Sequence, residues 1–251
     1  MLNTIVIGKV LLQFDELGST NDYAAEIIAK SRPNEGTVVW ADRQTAGRGQ
    51  FGSSWESAPA ENLTLSVIFY PIFLHPQQAF RLSQCAALAV LDTVQHYLPD
   101  AASAIKWPND IYIGKQKTAG ILIQNSLSAS QISHSIVGIG LNVNQTQFHS
   151  DAPNPTALAL HYGGSLSRQA VAEILFEALS QRYTQLQHDF HSLAADYQQA
   201  LFRLDTPARY MDRQGNIFTA TLRRVLDDGR LALETENGFA YFDLKEIRFV
   251  L

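Results

Sequence analysis

A chain of 251 residues is long enough for one large domain, or for a large one and a small one, and an apolar fraction of 46% supplies a real core. The formal charge of −5, with no basic cluster set against it, excludes a general nucleic-acid binder, which needs a basic face. The single cysteine, Cys85, excludes an intrachain disulfide, no apolar run approaches the ~20 residues of a membrane span, and the N-terminus has the pattern of neither a signal nor a transit peptide, so a cytoplasmic location is expected.

Residues 4–14 alternate loosely and predict one or two short strands. Ser19-Thr20-Asn21 opens a helix to about Lys30, with Ser19 or Thr20 as its N-cap. Val38 to Asp42 reads as a strand. Residues 62–70 alternate, with Leu63, Leu65, Val67 and Phe69 on one side and Thr64, Ser66 and Ile68 on the other. Pro76 starts a long helix to about Leu98, ended by Pro99; Leu88, Leu91 and Val94 fall near one face, and Cys85 serves as a small apolar residue. Strands follow at 104–107, 110–113, 118–124 and 132–143, then a loop from Gln145 to Pro155. Ser167 caps a second long helix whose Val171, Ile174, Leu175, Ala178 and Leu186 recur at helical spacing. Another helix covers about 190–203.

From Pro207 onward the texture changes to short strands and tight turns, the turns at Asp212–Asn216, Asp227-Asp228-Gly229 and Glu236-Asn237-Gly238. Five short strands at this spacing predict a small SH3-like β-barrel. The expected division is therefore 1–204 and 205–251. In the first part strands outnumber helices and alternating βαβ order is missing. That predicts the α+β class, a mixed, largely antiparallel sheet with helices on one face.

Two stretches carry the chemistry. One is Gly47-Arg48-Gly49-Gln50-Phe51-Gly52-Ser53-Ser54-Trp55. The other is Lys106-Trp107-Pro108-Asn109-Asp110, followed by Lys117-Thr118-Ala119-Gly120. Gly47, Gly49 and Gly52 fit G-x-G-x-x-G, but a dinucleotide site also needs a helix after the glycines and an acid about 20 residues on. Residues 53–62 carry Pro59 and no apolar period, and 67–75 contain no Asp or Glu, so that site is rejected. A P-loop fails as well, because Gly114-Lys115-Gln116 lacks the upstream glycine and the Ser or Thr after lysine. What remains suits a nucleotide-activated carboxylate: backbone N–H groups for phosphate, cations for its charge, and a flat ring for a base. Arg48 alone would read as a solvated loop charge, Lys117 as a strand-edge gatekeeper, and Ser19 to Asn21 as a helix cap. Glycines 138 and 140 admit either a bulge or a ligand lying close to the strand.

In order along the chain, Ser19-Thr20-Asn21, Gln44-x-x-Gly47-Arg48-Gly49 with Trp55, Lys106 to Asp110, Lys117-x-x-Gly120-Ile121-Leu122 and Gly138-Ile139-Gly140-x-Asn142-Val143-Asn144 resemble the motifs of the biotin protein ligases, in the form without an N-terminal DNA-binding domain. The resemblance implies a two-step reaction. Biotin's carboxylate attacks the α-phosphorus of ATP and pyrophosphate leaves; a lysine of a biotin carboxyl carrier protein then attacks the mixed anhydride and AMP leaves. It places Ser19, Thr20, Asn21, Gln44, Gly47, Arg48, Gly49, Gln50, Lys117, Gly120, Gly138 and Gly140 on biotin. Arg48, Gly49, Gln50, Trp55, Lys106, Asn109, Lys117 and Asn142 fall on the adenylate. Lys117 stands at the family's catalytic lysine, with Arg48 along the acyl phosphate and Trp55 stacking on adenine. Asp110 is expected to orient the acceptor lysine and take part of its proton, or else simply to build the turn after Pro108.

Gln50 departs from the family pattern, where a second arginine is common; a weaker hold on the adenylate is expected unless Arg43 or another cation substitutes. Magnesium is expected to arrive with ATP, held by phosphates and water, and no His/Cys/Asp/Glu cluster has metal-ligand spacing. A lipoate or octanoate ligase or transferase is the nearest alternative. A DNA-binding repressor is not expected, since the first motif begins at Ser19 and the 18 residues before it cannot hold a helix-turn-helix domain. Oligomeric state stays open, a homodimer included.

Overall fold

The computed structural model describes residues 6–128, 130–150 and 154–251. Residues 4 and 5 of the first predicted strand and residues 151–153 of the predicted loop lie outside them.

The motifs singled out above sit on or beside a seven-stranded sheet. Its strands are β1 (Leu11–Leu17), β2 (Val38–Gln44), β3 (Leu63–Phe69), β4 (Ser103–Lys106), β5 (Asp110–Ile113), β6 (Gln116–Leu127) and β7 (Ile132–Leu141). They run in the order β1-β2-β3-β7-β6-β5-β4. Only β1 and β2 are parallel, joined through helix α1 (Thr20–Lys30); the remaining neighbours are antiparallel. The sheet is thus mixed and largely antiparallel, with a single βαβ unit at one edge. Alternation over 4–14 overstates the first strand: residues 7–10 form a turn and bend, and pairing begins at Leu11.

Helices α2 (Phe80–Tyr97), α3 (Leu158–Tyr162), α4 (Arg168–His188) and α5 (Phe190–Gln199) stack on one face. They bury Leu63, Leu65, Val67 and Phe69 against Leu82, Leu88, Leu175 and Leu179, the side that alternation assigned to β3. Ser167 caps α4 by accepting from the Ala170 N–H, as its position predicts. Pro76 opens a 3-10 turn, Pro76–Gln78, and α2 proper starts after it. Cys85 is buried in α2, where burial pushes its thiol well above the usual range and leaves it inert. Helix α3 went unpredicted, since five residues are too few to show a period.

Among the described residues helix α1 is the one helix on the opposite face, with Ala24 packed on Val39, Ile68 and Ile136. It covers β2, β3 and the near part of β7. The β6 and β7 backbone beyond it stays open on that face, and this is where the site forms.

Strands β8 (Pro207–Asp212), β9 (Ile217–Val225), β10 (Leu231–Thr235), β11 (Gly238–Phe242) and β12 (Ile247–Phe249) make the second, antiparallel sheet, in the order β11-β10-β9-β8-β12. The apolar core continues across the junction: Tyr210, Leu222, Val225, Leu231 and Leu233 share one cluster with α2 and α5. Trp107 reinforces it, its indole N–H donating to the Gly229 carbonyl at 2.9 Å while the ring is buried. Trp107→Phe keeps most of the ring and orphans that carbonyl, so unfolding by urea is expected to lose about 1–2 kcal/mol; an unchanged midpoint contradicts this. Among the described residues no helix is long and apolar enough to cross a membrane.

Candidate functional site

Three glycines make the floor of a recess on the open face. Gly138 and Gly140 of β7 pair with Leu122 and Gly120 of β6. A Cβ on Gly138 would run into the Asn21 amide, and one on Gly140 would run into the Trp55 ring. At Gly120 a Cβ would lie 2.9 Å from Trp55 Cζ3. The glycines are therefore explained by close approach, not by a bulge of their own.

One end of the recess is a polar cluster at the start of α1. The Thr20 N–H donates to Gln44 Oε1 at 2.8 Å, and Ser66 Oγ lies 2.8 Å from Thr20 Oγ1 and 2.6 Å from Asn21 Oδ1. Asn21 Nδ2 faces the Leu122 carbonyl at 3.4 Å and Gln124 Oε1 at 3.3 Å. Ser19, Thr20 and Asn21 are all buried although they begin a helix. Ser19 caps the helix, accepting from the Asp22 N–H at 3.4 Å, so the capping and lining roles coexist. Ser66 and Gln124, which hold Asn21 from behind the lining, were missed from sequence. Ser66 had a signal: with Thr64 it interrupts an otherwise apolar, fully buried strand.

Lys117 reaches this face through an irregularity. Simple alternation puts it in phase with Ala119 and Ile121, which face the helical core. The β5/β6 register shifts between Ile111 and Tyr112, so that Ile111 pairs with Ala119 but Tyr112 pairs with Lys117. Thr118 is the extra residue, and such a bulge re-aims its neighbour. Lys117 is further fixed by its backbone, which accepts from Thr156 N at 2.8 Å and donates to Asn154 O at 2.9 Å. Its ammonium lies 2.6 Å from Asp110 Oδ1, and Lys106 stands 3.8 Å from Asp110 Oδ2. The Lys117 and Asp110 side chains keep 25% and 15% of their exposure, so the pair is open to a ligand. Burial pushes the Lys106 ammonium below the usual lysine range; Lys117 and Arg203 act the same way and Asp110 opposes them. Asn109 anchors the turn, donating to the Ile121 carbonyl at 2.7 Å.

The glycine-rich segment forms a small hairpin, more regular than a plain loop. Trp55 N–H donates to Gly47 O at 3.0 Å, Gly49 N–H to Ser53 O at 2.7 Å, and Arg48 bridges Ser54. The Gly49 N–H is thus spent inside the hairpin and is not offered to a phosphate. Gly47 is needed because a Cβ would sit 2.7 Å from the Trp55 carbonyl; it does not itself line the recess. Arg48 lines the rim, its guanidinium paired with Asp22. Gln50 lines the recess, while Arg43 is paired with Glu16 at 2.8 Å and lines neither this recess nor the next. Arg43 does not replace the missing charge.

A second recess adjoins the first, sharing Ser53, Ser54, Trp55, Asp110 and Lys117. Lys106, Tyr112 and Asn142 line it together with Phe148 and Ser150. Trp55 stands between the two, its indole N–H buried without a hydrogen-bond partner and its ring 5.6 Å from the Lys117 ammonium. Asn142 is buried and donates to the Thr156 carbonyl at 2.9 Å, leaving its own oxygen unpartnered. Every site residue expected from sequence, apart from Gly47, therefore lines one recess or the other, and the two recesses meet at Lys117 and Asp110.

This fold is that of the protein ligases. The biotin protein ligase from Aquifex aeolicus, solved in complex with biotin and ATP, aligns with a TM-score of 0.79 at 24% identity, over 96% of this chain and 100% of that one. The sequence narrows the class. Residues 14–142 match the model described as the biotin/lipoate A/B protein ligase family. The bifunctional ligase/repressor BirA of Bacillus subtilis is 32% identical over 243 residues, covering 94% of this chain and 73% of the relative. The biotin--[acetyl-CoA-carboxylase] ligase of Mycobacterium tuberculosis is 31% identical over 232 residues, covering 90% of this chain and 85% of the relative. The chain belongs to the biotin/lipoate A/B protein ligase family.

Proposed function

We propose that this protein is an ATP-dependent biotin–protein ligase, which forms biotinyl-5'-AMP and then transfers biotin to a lysine of a biotin carboxyl carrier protein. The observation that carries the reading is the meeting of the two recesses at Lys117. The first suits a neutral ring at its α1 end, where Thr20, Asn21 and Gln44 line it with a hydroxyl and amides and no charge, and Ser66 holds Thr20 and Asn21 from behind. The second suits a nucleotide, with the Trp55 ring, the free Asn142 oxygen and the Lys106 ammonium.

A carboxylate is already ionised near neutral pH, so the first step needs charge control rather than a base. Lys117, aimed by the bulge and held by Asp110, meets the negative charge that grows on the α-phosphate oxygens. Arg48 leaves Asp22 for the ligand's phosphate at the rim. In the second step Asp110 is the acid shared by both recesses, positioned to receive the proton of the incoming amine. Mg2+ is taken to enter with ATP as part of the substrate, held by phosphates and water. Residues 1–204 form the catalytic part and 205–251 a C-terminal domain in this reading, and a cytoplasmic location fits a reaction that draws on ATP.

The test is acid-dependent exchange of labelled pyrophosphate into ATP, offered biotin, lipoate and octanoate separately, followed by transfer to a carrier domain. Biotin alone should support exchange. Exchange with lipoate or octanoate and none with biotin overturns the reading in favour of the other branch of the family. Restoring the charge lost at position 50 gives a further expectation: Gln50→Arg should slow release of biotinyl-5'-AMP by about three- to tenfold. A release rate no slower than that of the parent chain counts against Gln50 as a weak point.

A further inference from the structure

Glu56 follows Trp55 and belongs to none of the motifs used above. Its partners are backbone donors. The His149 N–H lies 2.9 and 3.1 Å from its two oxygens, and the Ser150 N–H lies 2.7 Å from one of them. Gln145 adds a third connection, its Nε2 at 3.2 Å from Glu56 Oε1. The Gln145 oxygen in turn accepts from the Ala58 N–H at 2.9 Å and from Asn62 Nδ2 at 2.6 Å. Asn62 closes the circuit by accepting from the Val143 N–H at 2.9 Å. Asn62 and Gln145 are buried.

The result is that residues 55–62 and 142–150 are knitted into one unit from behind the second recess. Each segment carries part of its wall, Trp55 on one and Asn142, Phe148 and Ser150 on the other, and Glu56 itself lines the same recess. A carboxylate that accepts from two successive N–H groups fixes a backbone more firmly than one ordinary hydrogen bond does. Burial pushes the Glu56 carboxyl up, yet the hydrogen bonds from Ser150 and His149 outweigh it and hold the group below its usual range.

We propose that Glu56 is a positioning residue for the nucleotide: it sets the 145–150 segment against the Trp55 segment, so that both walls facing the base are built as one piece. This rests on the reading of the second recess as the nucleotide side. A staple of that kind should act on ATP and not on biotin, because the Thr20, Asn21 and Ser66 cluster shares none of its hydrogen bonds.

The experiment is steady-state pyrophosphate exchange with the full chain, varying ATP and biotin separately. Exchange by the unaltered protein is measured first; its absence with biotin removes the reading of the recess and the inference with it. With exchange present, Glu56→Ala is expected to raise KM for ATP about tenfold and to leave KM for biotin within about twofold. Glu56→Gln, which keeps one acceptor oxygen, should fall between the two proteins; if the alanine variant does not fold, the glutamine variant decides alone. An ATP KM unmoved in the folded variant, or ATP and biotin KM values raised alike, overturns the positioning role while the ligase reading stands.

Discussion

Lys117→Ala should slow formation of biotinyl-5'-AMP in a single turnover by about 10²–10³-fold, the usual cost of removing one preorganised charge from a developing anion. The expected loss has two parts. The substitution removes the ammonium that meets the α-phosphate. It also leaves Asp110 with the more distant Lys106, 3.8 Å away, so a carboxylate less fully neutralised stands beside the site of attack. The second part can be separated. Lys117→Ala combined with Asp110→Asn should be faster than Lys117→Ala alone, because the repulsive charge is gone while the lost cation is the same. A single variant within tenfold of the parent would show that the first step does not depend on Lys117. A double variant no faster than the single one would show that Asp110 acts only on the acceptor amine.

Gly138→Ala should weaken biotin binding by about 10²-fold or more, measured by calorimetry without nucleotide. The added methyl enters the space of the Asn21 amide. Asn21 is buried and held by Ser66, the Leu122 carbonyl and Gln124, so it cannot step aside without breaking that cluster. The fold should survive, since Gly138 lies mid-strand with ordinary β backbone and the collision is with one side chain. Gly164→Ala is the control: nothing lies within 4 Å of a Cβ there and no positive φ is required. Equal biotin affinity in Gly138→Ala and the parent chain would mean that the floor is not where biotin lies.

Much of this architecture was legible in the residues. The alternation of 63–69, the Ser19 and Ser167 caps and the turn signals after Pro207 each correspond to an observed element, because each is a local rule acting without tertiary competition. The site motifs were legible as types and spacings, and most converge. What could not be read is how they converge. Alternation counted along β6 sends Lys117 into the helical core, and the extra residue Thr118, visible as a register shift against β5, turns it to the open face. The position of α1 is similar: its sequence announces a capped helix but does not say that it lies opposite α2 and α4, leaving β6 and β7 open beside it. Partners distant in sequence were hidden for the same reason. Ser66 joins Asn21, Asp22 holds Arg48, and Glu56 holds His149 and Ser150, and none of these pairs follows from spacing along the chain.

The most direct measurement is a crystal structure with biotinyl-5'-AMP bound. The ureido ring is predicted against Thr20, Asn21 and Gln44, the acyl phosphate within hydrogen-bond reach of the Lys117 ammonium, and the base beside Trp55 in the second recess. Density for the adenylate with Lys117 still closed on Asp110 and Arg48 still on Asp22, neither touching the phosphate, would contradict the account.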